Sequence, residues 1–194
     1  MNPPLPYSEE ARFDTGTTNG VVGIGLFLAS EFMFFGSLVA AYVLLRSSAP
    51  EWILQLPNQT FEAWLATFLL LSASFLVSRA VRRGSSERSF FSHLLAAGGF
   101  AIGFLLLKTV NLYGLLKSGI LPATSTANGL FYLFSVLHAL HVLGGAAWIL
   151  FLLGTGRLST TTPGSQIRRG KLLLAYWAFL DVVWMAILAL FYLG

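Results

Sequence analysis

The chain has 194 residues, of which 56% are hydrophobic and 10% charged; about a quarter charged is usual for a soluble domain, so a water-soluble globule is excluded. No cysteine is present, which excludes disulfides, thiolate metal sites, iron–sulfur clusters and cysteine nucleophiles. The net charge of +4 and pI near 9.7 suit nucleic acid in principle, but the basic residues cluster at the ends of apolar runs. A membrane charge bias explains that placement, and no nucleic-acid partner is expected.

Residues 1–19 are polar, rich in proline and acidic on balance. The apolar run that follows lacks a basic leader and is too long for a signal peptide, so it reads as a mature span. About 20 apolar residues cross about 30 Å of hydrocarbon at about 1.5 Å each. Five stretches meet that length, at about 20–45, 62–82, 90–112, 127–153 and 172–193. The second has Glu62 and Arg79 close to its ends, where both can reach an interface. All seven prolines lie outside the spans, and no internal repeat is visible, so the broken, paired helices of many transporters find no support here. The expected fold is an all-α integral membrane protein, with a polar segment at 1–19 and one five-helix bundle over 20–194.

With five spans, Arg12, Arg79, Arg82, Arg83, Arg88, Arg157, Arg168, Arg169 and Lys171 share the side of the N-terminus. Arg46, Lys108 and Lys117 are assigned to the other side, which predicts a cytoplasmic N-terminus and an outside C-terminus. Tyr42, Trp52, Trp64, Tyr176 and Tyr192 fall near the predicted interfaces, where an aromatic belt sits.

Charged groups in hydrocarbon are costly, so each one inside a span suggests packing or function. Glu31, His138, His141 and Asp181 lie close to the midpoints of the first, fourth and last spans, nearly at one depth. They could form one buried network that shares or relays a proton, or a set of interhelical hydrogen bonds that fixes register. Phe27, Phe34 and Phe35 share a helix face with Glu31. His138 and His141, at i and i+3, could supply part of a metal site, but three histidines and no cysteine leave too few ligands for a heme or copper centre. No metal and no catalytic residue is therefore expected on this chain. Gly99 and Gly103 make a small-residue face suited to close helix packing, and Arg79, Arg82 and Arg83 set topology or hold anionic lipid headgroups.

Three segments resemble one family. Residues 26–46, LFLASEFMFFGSLVAAYVLLR, carry Ser30-Glu31-Phe32-Met33-Phe34-Phe35; residues 137–145 read LHALHVLGG, and residues 176–184 read YWAFLDVVW. In order and spacing they resemble subunit III of the heme-copper terminal oxidases, most often cytochrome c oxidase, in its five-helix bacterial form. The resemblance implies an accessory chain without heme or copper of its own, those cofactors sitting on partner subunits. It implies packing against subunit I beside subunit II, bound phospholipid, sustained proton uptake over many turnovers, and a bacterial or archaeal cytoplasmic membrane. Ala178 replaces a family histidine and Asn111 a family glutamate, so the polar contacts those groups make are missing or replaced. That departure also suits a divergent branch, such as the subunit III-like protein of nitric oxide reductases or an oxidase within a larger respiratory supercomplex. A small proton-coupled transporter built on the same acids is the reading from another class.

Overall fold

The structure, a computed structural model, describes residues 9–49, 52–54, 60–82, 87–158 and 163–192. Five helices account for nearly all of them: α1 (Glu9–Ser48), α2 (Thr60–Arg82), α3 (Glu87–Lys117), α4 (Thr126–Leu158) and α5 (Pro163–Phe191). No strand occurs among the described residues. Each helix holds a stretch long and apolar enough to cross a bilayer, from Gly20–Ser48 on α1 to Ile167–Phe191 on α5.

Four helices close a ring in which α2 packs on α3, α3 on α4, α4 on α5 and α5 on α2. The reason is a shared seven-residue period. On α3, Phe90, Ala97, Phe104 and Asn111 face inward with Leu94, Ala101, Lys108 and Leu115. On α2 the same intervals set Ala63, Leu70 and Val77 beside Ala66, Ala73 and Ala80. On α5 they set Leu173, Leu180 and Ile187 beside Trp177, Trp184 and Phe191. A strict seven-residue period keeps one seam facing its partners, as in left-handed bundles. In lipid, apolar residues gain little by leaving the solvent, so close approach and dispersion carry the association. The alanine seam of α2 allows that approach, and the large rings of α5 fill the space it leaves.

The loop at the end of α3 is closed locally. Gly119, at φ 78°, takes the left-handed turn that lets Gly119 N–H bond Leu116 C=O at 3.2 Å and Ile120 N–H bond Leu115 C=O at 3.1 Å. Ser125 then caps α4, its hydroxyl accepting from Asn128 N–H at 3.1 Å and donating to Ile53 C=O at 3.0 Å.

Helix α1 stands apart. It packs on α5 and α4, and 6% of its apolar stretch is buried, against 28–44% for the other four. Its inward residues, Phe35 and Tyr42, again lie seven apart, and Tyr42 donates to Leu190 C=O at 2.7 Å.

Candidate functional site

Glu31 lies on the same stripe of α1 as Phe35 and Tyr42, so it points at the ring and not at lipid. Its Oε2 meets Nε2 of His141 on α4 at 3.0 Å, and both side chains are just under one-fifth exposed. His141 Nδ1 lies 2.7 Å from Leu137 C=O, a partner that can only accept. Nδ1 therefore carries a hydrogen, and the Glu31 contact requires a second proton between Nε2 and Oε2. Either the acid keeps it and donates to a neutral imidazole, or an imidazolium donates to the carboxylate. The pair thus shares one proton in a phenylalanine setting. Phe35 packs edge-on to His141 with ring centres 5.2 Å apart, and Phe179 lies 6.0 Å behind Phe35.

Tyr176 anchors the same region from α5, its hydroxyl donating to His141 C=O at 2.8 Å. The approach of α5 to α4 there depends on Gly145, where an added Cβ would stand 3.1 Å from the Tyr176 ring and 3.4 Å from Trp177. The second glycine of the LHALHVLGG segment is thus a packing requirement.

The single four-membered network expected from shared depth is divided. His138 is fully buried on the seam of α4, stacked on Trp184 at 5.6 Å and met edge-on by Phe104 at 5.7 Å, and neither ring nitrogen has a hydrogen-bond partner. Asp181 turns toward Ser74 of α2, and its Oδ1 stays unpartnered. Equal depth leaves the angle around each helix axis unset, and here the angles send the groups to different neighbours. The angle around the axis also decides what two of the aromatic-belt residues do. Tyr42 and Tyr176 are buried, and each hydroxyl is spent on a carbonyl inside the bundle.

A second polar cluster was hidden in the sequence. Lys108, counted there with the charges of the side opposite the N-terminus, is 3% exposed and sits on the seam of α3. Its Nζ lies 4.9 Å from the Trp184 ring centre, 5.7 Å from Phe131 and 5.8 Å from Tyr192, and it donates to the Tyr192 hydroxyl at 3.4 Å. Asn111, one turn on, donates from Nδ2 to the Glu62 carboxylate of α2, and that carboxylate also attracts Lys108. The position where the family resemblance implies an acid is thus supplied with one from the neighbouring helix. Trp184 joins the layers, its indole N–H donating to Thr67 Oγ1 at 2.8 Å. The signal that could have found Lys108 and Asn111 is the seven-residue period, which runs through both.

Arg79 lays its guanidinium 4.9 Å from the Phe75 ring centre, Arg82 is exposed, and Arg83 lies outside the described residues. Among the described residues no group of three His, Asp or Glu side chains gathers as a metal site would require.

These features define a multi-pass helical membrane protein in which Glu31, Glu62 and Lys108 meet partners on neighbouring helices. No family model matches the chain. The probable cytochrome c oxidase subunit 3 of Mycobacterium leprae is 32% identical, with 88% of this chain and 86% of that protein aligned. The quinol oxidase subunit 3 of Bacillus subtilis is 31% identical over 99% of this chain and 93% of that protein. The cytochrome c oxidase subunit 3 of Thermostichus vulcanus is 28% identical over 89% and 86%. The chain belongs to the subunit 3 family of the heme-copper oxidases. The resemblance carried by the three sequence segments extends across most of the chain.

Proposed function

We propose that this chain is the accessory subunit III of a bacterial or archaeal respiratory oxidase that passes electrons to oxygen. It packs against the catalytic subunit I, beside subunit II, and carries no redox centre. The observation that bears this reading is the placing of α1, a span with 6% of its apolar stretch buried, held to the ring at mid-depth by the one-proton Glu31–His141 pair. A helix so little covered by its own chain offers a long apolar face to a partner or to lipid. The geometry of the pair lets it hold that helix while exchanging a proton with groups that approach the gap between α1 and α4.

The N-terminus is cytoplasmic in this reading. Burial of Lys108 inside the ring supports it, because Arg46 and Lys117 are then the basic residues left to count on the opposite side, against nine in the sequence on the N-terminal side. Phospholipid fills grooves between the helices.

The test is turnover endurance. Oxidase prepared without this chain should begin at normal speed and then lose activity over prolonged turnover, and adding the chain back should restore endurance. Equal endurance with and without it would remove the proposed role. Solute uptake by the chain reconstituted alone would point to a transporter instead.

A further inference from the structure

The geometry points to a defined lipid site, a groove between α3 and α4 that takes one phospholipid with an anionic headgroup, in the leaflet on the N-terminal side. Two hollows adjoin there, with volumes of about 490 and 560 Å³. Both are lined by Leu95 and Leu153, so they run on from one another along the same helix pair. The deeper hollow exists because small residues face it on both sides, Gly98 and Gly99 on α3 and Ala146 and Ala147 on α4. An added Cβ at Gly99 would meet nothing within 4 Å. The expected close-packing face thus divides, since a Cβ at Gly103 would touch Leu69 of α2 at 3.7 Å while Gly99 opens on the groove.

The ends of the groove differ in chemistry. Its deep part is apolar, whereas its mouth carries Arg88 and Ser92. Arg88 is exposed in the first turn of α3, where the helix's own N-terminal partial charge also attracts an anion. From Arg88 to Gly99 α3 rises about 16 Å, which is about the depth of half the hydrocarbon layer. A headgroup phosphate at Arg88 therefore places an acyl chain over Gly99 and lets it end near the bilayer midplane. A guanidinium also suits phosphate by presenting paired donors. This site extends the lipid-holding part of the function above and does not depend on the oxidase partner.

The test uses the purified complex, washed in detergent until bulk lipid is gone and then analysed for retained phospholipid by mass spectrometry. Gly99→Leu, which fills the groove without a clash at Cβ, should remove one phospholipid per complex and leave the heme spectrum unchanged. Arg88→Gln should keep that lipid but reduce its preference for anionic over zwitterionic headgroups roughly fivefold, the weight of one basic residue at a charged surface. Unchanged lipid number and class in both variants would overturn the site. So would a photoreactive side chain at position 99 that captures a polypeptide and not a phospholipid. Absence of heme from the preparation would refute the oxidase assignment alone, since retained lipid is read independently of it.

Discussion

Lys108 and Glu62 allow a quantitative test of how the outer half of the ring is held. Lys108 is 3% exposed, and its charge is balanced by the Glu62 carboxylate and by three aromatic rings within 6 Å. The two charges make no contact within 4.0 Å, so at an effective dielectric of about 20 their attraction stays below about 4 kcal/mol. Glu62→Gln keeps an acceptor for Asn111 but leaves the ammonium with the Tyr192 hydroxyl and cation–π support, the latter worth about 0.5–2 kcal/mol. We expect it to destabilise the chain by about 2–3 kcal/mol, at or below the low end of the range for breaking a buried pair because Lys108 keeps its other partners, or a fall in Tm of roughly 4–12 °C. Lys108→Met keeps the stem packed among Phe131, Trp184 and Tyr192 and removes the charge, while Glu62 retains Asn111. Its cost should be under about 1 kcal/mol, and the double variant should sit close to Lys108→Met alone. The assay is a double-mutant cycle by thermal unfolding of the purified chain in a mild detergent. A coupling below about 0.5 kcal/mol would show that Lys108 is held by packing and not by charge.

Other substitutions separate the remaining polar groups. Glu31→Gln retains a donor for Nε2 of a neutral His141, so assembly yield should be normal while the shared acid proton is lost and endurance in turnover falls; unchanged kinetics would reduce Glu31 to a structural tie. Glu31→Ala should also free α1, read as faster proteolysis between α1 and α2, and equal protection would refute the tie. Gly145→Ala should cost about 1–3 kcal/mol, because Tyr176 is fixed by its bond to His141 C=O and Trp177 is fully buried, so neither can yield; an unchanged Tm would show that α5 can shift. His138→Phe keeps a ring between Phe104 and Trp184 and removes two unpartnered nitrogens, so stability should hold or rise by about 1 kcal/mol, and a large loss would reveal a hidden partner.

Much of the fold was legible because a membrane span announces itself by length and hydropathy alone, as all five stretches do. The site was legible in depth but not in direction. Glu31 and His141 meet as their shared depth allowed, whereas His138 and Asp181 at the same depth turn to other helices. Lys108 was counted among the charges of the far side by its place near a span end, and only the seven-residue period through Phe104, Lys108, Asn111 and Leu115 marks it as internal. The isolation of α1 left no trace in its composition, since a lipid-facing surface and a buried one are equally apolar.

The most direct measurement is the reduced-minus-oxidised absorption spectrum of material gently solubilised and captured on a tag at this chain, with the captured subunits identified in parallel. The expected result is a heme-bearing catalytic subunit recovered in equal amount with the tagged chain. Recovery of the chain alone, or with partners that show no heme bands, would contradict its assignment as an oxidase subunit.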